Sequence, residues 1–246
     1  MKSFQQGPPD ISIIVPVLYE GTIICQLLNH LAESSEMISH EIIVVDGDAR
    51  GSTISLISSS ESHIKTLVAA PGRGSQMNAG AKQAQGKILL FLHADTRLPS
   101  QALTKIWLLL KNPEYGGGAF DLEIDSPQRI LKLIGRIASW RSRLTRLPYG
   151  DQAIFLRRDC FHAIGRYPEI PIMEDVTLMR QLKQSGDKIY IFRDRILVSP
   201  RRWQKEGVLY CTLRNWLLLF LYYIGVSPDQ LVVWYCPASI THKRRE

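Results

Sequence analysis

The chain has 246 residues, which is enough for one large α/β domain or for a core domain with an appended segment. Hydrophobic residues make up 45% of the sequence and charged residues 22%, a composition that excludes an intrinsically disordered protein. The net charge of +7 favours anionic partners such as nucleotide phosphates, anionic lipids or nucleic acid, without selecting among them.

The cysteines and the apolar runs narrow the class of protein further. None of the four cysteines has CxxC or metal-ligand spacing, so a zinc site or a disulfide framework is not expected. The first ten residues are polar and lack the apolar stretch of a secretory signal, and we predict a flexible tail over 1–10. The longest apolar run, 216–226, is too short to span a bilayer. A cytoplasmic protein is therefore expected.

Strands and helices alternate along the first hundred residues. Apolar runs predict strands at 11–17, 41–46, 65–70 and 87–92. Helical patterns separate them at 22–34, around 54–57 behind Ser52 and Thr53, and at 75–85. This order is typical of a parallel sheet with right-handed crossovers, in which polar groups that follow the strands meet at one edge. The residues expected at that edge are Tyr19, Glu20, Asp46, Asp48, 72–74 and 93–96.

The second half of the chain has a different pattern. A helix is predicted at 102–110, and a flexible glycine-rich stretch at 115–120 leads into an extended segment at 121–124. The span 128–147 mixes basic and apolar residues without an acidic one, which fits a membrane-surface helix and a solvated face over a core stripe equally well. The apolar stretch at 216–223 is predicted to be buried against the domain or a partner, or to lie in a membrane interface.

Two pairs of polar residues carry candidate chemistry. His93 and Asp95 directly follow a strand that is predicted to be buried. Oxygen ligands at such a place suit Mg²⁺ or Mn²⁺ and the phosphates that the ion would bridge, although an aspartate can also simply cap a turn. Glu174 and Asp175 open a helix, where carboxylates serve either as caps and dipole partners or as a general base.

In order and spacing, these segments resemble the inverting nucleotide-sugar glycosyltransferases of family 2. The matching segments are 13–20 (IIVPVLYE), 44–48 (VVDGD), 73–80 (RGSQMNAG), 93–95 (HAD), 116–120 (GGGAF), 150–152 (GDQ), 174–175 (ED) and 199–203 (SPRRW). The resemblance implies an α/β GT-A fold, that is, a Rossmann-like and mostly parallel central sheet flanked by helices, with a C-terminal helical segment. It extends from about residue 11 to residue 207.

The resemblance also implies a division of the chain. A glycosyltransferase domain would occupy 11–207, with a nucleotide-binding half at 11–98 and an acceptor and catalytic half at 99–207. An apolar helical segment and a basic tail would follow at 208–246.

Residue roles follow from the same resemblance. Residues expected to contact the nucleotide sugar are Pro16, Glu20, Asp46, Arg73, Asn78, His93, Ala94 and Asp95. Asp95 also takes the metal role, with Mg²⁺ or Mn²⁺ on the donor diphosphate. Asp175 is expected to be the catalytic base, with Glu174 beside it. Residues expected on the acceptor or leaving-group side are Gly118, Asp151, Gln152, Arg202 and Trp203.

The expected activity is transfer of a sugar, with inversion, from a nucleotide-diphosphate sugar to an acceptor hydroxyl. His93, Tyr19 and Gly47 depart from the family pattern and keep a non-catalytic sugar-nucleotide or membrane-binding protein as an alternative. A nucleotidyltransferase ranks lower, because no glycine-rich loop with a basic residue follows the first strand.

The partners are defined less closely than the reaction. A nucleic-acid partner is not expected, because the basic residues lie beside Ile, Leu and Trp and no recognised motif is present. A lipid-linked acceptor, with peripheral contact at the inner face of the cell membrane, stays open beside a homodimer.

Overall fold

The computed structural model describes residues 7–34, 37–57 and 64–235. Most of the predicted tail at 1–10 and the basic end of the chain from 236 onward lie outside these ranges. The prediction for them is therefore not tested.

Eight strands in the described part of the chain form one sheet. They are β1 Ile11–Val17, β2 His40–Asp46, β3 Ile64–Val68, β4 Ile88–Phe91, β5 Thr96–Arg97, β6 Tyr115–Ile124, β7 Phe155–Arg157 and β8 Lys188–Val198. Their order across the sheet is β3-β2-β1-β4-β7-β6-β8-β5. The first four strands in this order run parallel, whereas β7 pairs antiparallel with both β4 and β6. The two predicted halves of the domain thus share one sheet, and the boundary between them stays a prediction.

The helices of the described ranges flank this sheet. They are α1 Gly21–Glu33, α2 Arg73–Gln83, α3 Ala102–Leu110, α4 Arg129–Thr145, α5 Arg158–Ala163, α6 Glu174–Gln184, α7 Arg201–Glu206, α8 Val208–Tyr223 and α9 Pro228–Tyr235. Single 3₁₀ turns lie at Ile54–Leu56 and Gly150–Gln152. This mixed, mostly parallel sheet between helices confirms the predicted fold class, and none of these helices is long and apolar enough to cross a membrane.

The core lies on both faces of the sheet, because β1, β2 and β4 are buried on each side. One apolar cluster joins Leu27 of α1 and Ile106 of α3 to one face. A second cluster joins Met77 of α2 and Leu178 of α6 to the other face. The helices therefore hold the carboxyl ends of the parallel strands at one edge.

Two local predictions were wrong. The expected helix around 54–57 is only a 3₁₀ turn, because the Asp46 carboxylate accepts the backbone N–H groups of Thr53 and Ile54 and fixes the loop there. The glycine-rich stretch at 115–120 is not a flexible segment but the first half of β6. Its glycines allow the strands to approach: a Cβ on Gly118 would lie 2.1 Å from the carbonyl oxygen of Tyr190 in β8.

We predict that Gly118→Ala lowers the free energy of unfolding by about 1–3 kcal/mol or more, because an added methyl group in packed surroundings forces the backbone apart. Urea denaturation would measure the change. Gly7→Ala is the control, since a Cβ there meets no atom within 4 Å. Equal stability of the two variants would contradict the packing role of Gly118.

Candidate functional site

The carboxyl ends of β1 and β2 are joined by the side chain of Gln76 in α2. Its amide nitrogen donates hydrogen bonds to the carbonyl oxygens of Val17 and Val45, each at 2.8 Å. A Cβ on Gly47 would lie 3.1 Å from the Gln76 amide, so a second aspartate at that position would not fit without displacing it. The glycine at position 47, where the family pattern has an aspartate, is therefore explained by packing: the Gln76 side chain occupies the space that a side chain at this position would need.

Asp46 lies at this edge but points into the protein. Its carboxylate is completely buried and accepts backbone N–H groups from Asp48, Thr53 and Ile54 at 2.9, 2.8 and 3.2 Å. The hydrogen bonds of Asp46 thus shape the loop after β2. Contact between Asp46 and a nucleotide base stays a prediction.

Asn78 likewise serves packing in this structure. Its amide donates to the carbonyl oxygen of Tyr167 and accepts the N–H of the same residue, at 2.9 and 3.1 Å. These bonds fasten α2 to the loop before α6. Arg73, at the start of α2, has a half-exposed side chain that lies 4.0 Å from the Glu174 carboxylate.

Arg201 connects two of the predicted site residues. Its guanidinium donates two hydrogen bonds to Glu20, at 2.7 and 2.9 Å, and its Nε lies 3.0 Å from Oδ2 of Asp95. Glu20 follows β1 and Asp95 precedes β5, so this arginine joins loops that are far apart in the sequence. The Glu20 and Asp95 carboxylates share one cation.

The pKa of His93 is affected by two nearby arginines. Burial, together with the positive charges of Arg73 and Arg201, lowers the pKa of His93 to about 3. Its imidazole is therefore neutral at physiological pH, and it can donate or accept a hydrogen bond without adding charge.

Asp175 is held by the 3₁₀ turn at Gly150–Gln152. Its Oδ2 accepts the N–H of Gly150 at 2.6 Å, while Oδ1 lies at the start of α6 beside the N–H of Val176. A Cβ on Gly150 would lie 3.3 Å from Oδ2 of Asp175 and 3.3 Å from Nε2 of His93. The absence of a side chain at Gly150 therefore lets His93 and Asp175 approach the same point.

Two further carboxyl groups at this site hold their protons unusually tightly. Burial and the negative charge of Asp175 raise the pKa of Asp151 to about 6, and one of its buried oxygens has no hydrogen-bond partner in the described part of the chain. Burial and the same Asp175 charge raise the pKa of Glu174 to about 7, against the opposing effect of Arg73. The site thus concentrates acidic groups, and the charges of Arg73 and Arg141 offset their mutual repulsion only in part.

These groups fit a divalent ion that is shared with a ligand. Among the described residues, no three His, Cys, Asp or Glu side chains are placed to hold a metal ion by themselves. Mg²⁺ and Mn²⁺, however, are commonly held by one or two carboxylates together with substrate phosphates. Asp95 and the unpartnered Asp151 oxygen offer such carboxylate ligands, and the charge of Asp95 contributes to the raised pKa of Asp151.

The residues predicted for the acceptor or leaving-group side separate into two groups. Gln152 is buried and ties its turn to β6 and α4, through a hydrogen bond from its amide to the Phe120 carbonyl and one from Ser142. Gly118 is inside the sheet. Arg202, by contrast, contacts Tyr235 of α9 by a hydrogen bond and by its guanidinium, 4.1 Å from the ring centroid. The indole N–H of Trp203 is buried without a partner among the described residues.

Tyr235 also interacts with Arg73. Its phenol contributes most to the raised pKa of Arg73, ahead of Glu174. Arg73 and Arg202 thus interact with the same side chain of the C-terminal helix α9.

The structure thus brings seven of the fifteen predicted site residues together. The residues that meet at this edge are Glu20, Arg73, His93, Asp95, Asp151, Glu174 and Asp175. Ala94 belongs to the apolar core instead, and Pro16 lies in β1 opposite Val45. The sequence reasoning missed Gln76, Arg201 and Tyr235. Gln76 and Arg201 lie within the matching segments 73–80 and 199–203 but were given no role, whereas Tyr235 had no local signal.

The sequence profile of the family described as Glycosyl transferase family 2 matches residues 12–166. A dolichol-phosphate mannosyltransferase of Mycosarcoma maydis is 28% identical over 113 residues, which are 42% of this chain and 38% of that protein.

Two solved structures share the fold. The mannosyltransferase PcManGT from Pyrobaculum calidifontis, in complex with GDP-Man and Mn²⁺, superposes with a TM-score of 0.61 at 17% identity, over 78% of this chain and 57% of the other. Residues 1–349 of S. aureus TarS, in complex with UDP-GlcNAc, give a TM-score of 0.59 at 20% identity, over 77% and 58%. The chain thus spans well under two thirds of each of these proteins.

The crowded carboxyl groups predict a dependence of stability on pH. Because the folded-state pKa of Asp151 is raised from 3.8 to about 6, ionising it disfavours the folded state, and stability should fall as the pH rises from about 4 to about 7. Asp151→Asn removes this penalty. We expect its Tm to exceed that of the wild type by roughly 5 °C at pH 8 and to lose that advantage near pH 4.

Differential scanning calorimetry at both pH values would measure this difference. Asp125→Asn is the control, since Asp125 is exposed. A constant difference between Asp151→Asn and wild type at all pH values would rule out the proposed ionisation of a buried Asp151.

Proposed function

The chain belongs to glycosyltransferase family 2, and on that premise we propose that it transfers a sugar from a nucleotide-diphosphate sugar to an acceptor hydroxyl, with inversion at the anomeric carbon. The observation that carries this proposal is the position of the Asp175 carboxylate. It lies at the crevice edge of the sheet, held by Gly150 and beside His93, in the same cluster of charges as Arg73 and Asp95.

Asp175 is proposed to be the general base. Its carboxylate would take the proton from the acceptor hydroxyl while that oxygen attacks the anomeric carbon and the bond to the diphosphate breaks. The hydrogen bond from Gly150 fixes the position of Oδ2 and orients the carboxylate for this step. Burial raises the pKa of both Asp151 and Glu174, and we propose Asp175 as the base because the Gly150 N–H orients its carboxylate.

The leaving diphosphate requires positive charge near it. Arg73 and Arg202 both interact with Tyr235, and we propose that their guanidinium groups bind the diphosphate oxygens. Asp95, with Asp151 near it, would hold Mg²⁺ or Mn²⁺, an ion that supplies Lewis-acid stabilisation of charge on the diphosphate when bound. Neutral His93 would contribute a hydrogen bond and no charge.

The donor is proposed to be a nucleoside-diphosphate hexose. The titles of two structures with this fold name GDP-Man and UDP-GlcNAc as bound ligands, and these compounds are the first candidates. The name of the Mycosarcoma maydis relative points to a lipid phosphate as the acceptor of that protein. A lipid-linked acceptor for this chain would place the reaction at a membrane surface.

Asp175→Asn should separate binding from chemistry. We expect donor affinity close to that of the wild type, with turnover lowered by a factor on the order of 10² or more, because the amide cannot take up the acceptor proton. Donor binding would be followed by calorimetry, and turnover by release of the nucleoside diphosphate. In the absence of an acceptor, donor hydrolysis by the wild type provides the turnover signal.

Asp125→Asn again serves as the matched control, with an identical change of charge on an exposed residue. Undiminished turnover of Asp175→Asn would dismiss Asp175 as the base. Donor binding by the wild type without any hydrolysis or transfer would instead favour a non-catalytic sugar-nucleotide-binding protein.

Asp95→Asn tests the metal role. Titrations of GDP-mannose and UDP-GlcNAc should show tighter binding to the wild type with Mn²⁺ than with EDTA, and Asp95→Asn should abolish that difference. The amide replaces a carboxylate ligand and removes its charge, which weakens a site for a hard divalent ion. A Mn²⁺ effect of the same size in both proteins would remove Asp95 from the metal site.

A further inference from the structure

Helix α4 packs against the sheet with the side that is poorer in large apolar residues. Its inner face is formed by Leu131, Gly135, Ser139 and Ser142. A Cβ on Gly135 would lie 3.0 Å from the Leu122 carbonyl oxygen, and the Ser139 hydroxyl accepts the N–H of Leu122 at 2.8 Å. Small and polar side chains thus bring the helix close to β6.

The large apolar side chains of α4 face outward. They recur at helical spacing and are between 39% and 68% exposed: Ile130, Leu133, Ile137, Trp140 and Leu144. At 100° per residue these positions lie on the side of the helix opposite Gly135 and Ser139. The amphipathic pattern of 128–147 therefore does not indicate a core stripe, because the apolar face is the one in contact with solvent.

The C-terminal helices have the same character. One face of α8 carries large apolar side chains that are between 45% and 72% exposed: Leu209, Leu213, Trp216, Leu217, Phe220 and Tyr223. Val233 and Trp234 of α9 are 69% and 59% exposed. Contiguous apolar surface of this extent marks an interaction site in a folded protein.

The charges that α4 itself carries beside the stripe are all positive, and Lys132 and Arg136 also line a groove that contains Asp121 and Glu123 of β6. The span 128–147 contains no acidic residue. Arg143 pairs with Asp121, but four other cations of the span form no ion pair with any described residue: Arg129, Lys132, Arg136 and Arg146. Arg129, Lys132 and Arg136 lie along one flank of the stripe, the arrangement typical of helices that lie in the interface of an anionic membrane.

Helices α4 and α8 both adjoin the candidate catalytic site. Near the end of α4, Ser142 donates a hydrogen bond to Gln152, and Arg141 stacks on Tyr149, 3.4 Å from its ring centroid. Tyr222 of α8 shares a hydrogen bond of 2.7 Å with Thr177, two residues beyond Asp175. The two helices thus reach the turn and the helix start that position the proposed base.

We propose that the outward faces of α4, α8 and α9 dock on the surface of an anionic lipid bilayer. Lipid headgroups match the unpaired cations, and the acyl region accepts Trp140, Leu144 and Trp216. A second copy of the chain fits less well, because a symmetric contact through α4 would bring its cationic flanks together. The proposal deepens the proposed function and rests on it in one respect: the acceptor hydroxyl reaches Asp175 from the bilayer side.

The test is flotation of the purified protein with vesicles of pure phosphatidylcholine or of 70% phosphatidylcholine and 30% phosphatidylglycerol. We expect the wild type to float with the anionic vesicles only. The variant Arg129→Gln, Lys132→Gln, Arg136→Gln should bind on the order of a hundredfold more weakly. Trp140→Gln, Leu144→Gln should lose most binding at every salt concentration, since its cations remain but its apolar anchors are removed.

Leu108→Gln is the matched control, because Leu108 is an equally exposed leucine on α3. It should float as the wild type does. Flotation of Trp140→Gln, Leu144→Gln at the wild-type level would overturn the proposal. An absence of wild-type flotation at low salt would also overturn the proposal, whether or not light scattering shows that the protein self-associates.

Donor binding measured in the same variants keeps the two proposals distinct. A variant that no longer floats but binds the nucleotide sugar normally supports the docking surface and leaves the transferase proposal intact. Normal flotation together with an absence of donor binding and hydrolysis by the wild type would defeat the proposed function, while the lipid contact would stand.

Discussion

The crowding of carboxyl groups at the carboxyl edge of the sheet is the constraint on which the site depends. Asp95, Asp151, Glu174 and Asp175 lie within range of one another's charge, and a buried carboxylate without a partner is costly. The chain compensates in three ways: Arg201 pairs with both Asp95 and Glu20, the backbone N–H of Gly150 binds Asp175, and burial raises the pKa of Asp151 and Glu174. A ligand that brings its own cation would reduce the remaining repulsion between the carboxylates.

The rest of the fold supplies the rigidity that this crowding requires. Parallel pairing of β1 with β2 and β4 sets the strand ends at one level, and Gln76 connects two of those ends through its amide. Both carboxylate oxygens of Asp46 accept hydrogen bonds from backbone N–H groups of the following loop. Asp46, which the sequence suggested as a ligand contact, thus positions a loop at the edge of the sheet where the charged groups lie.

The sequence was sufficient where the signal was local. The apolar run of β1 was predicted with its observed bounds, and the polar ends of β1 and β4 were placed at one edge by chain order alone. It was insufficient where side chains meet across the fold. Nothing near Asn78 signals the backbone of Tyr167, and nothing near Arg73 signals Tyr235, some 160 positions further along the chain. The same composition of 128–147 also allowed two orientations, and only the small residues Gly135 and Ser139 show which side α4 turns to the sheet.

That orientation separates the residues that stabilise the fold from those of the proposed docking surface. Since Leu133, Trp140 and Leu144 are 50%, 62% and 68% exposed, exchanging them for polar residues should change the free energy of folding by no more than about 0.5 kcal/mol each. The solubility of the chain at high concentration can therefore be improved by surface substitution without disturbing the crevice. Mutations in this stripe would therefore alter the proposed docking surface without altering the ability of the chain to fold.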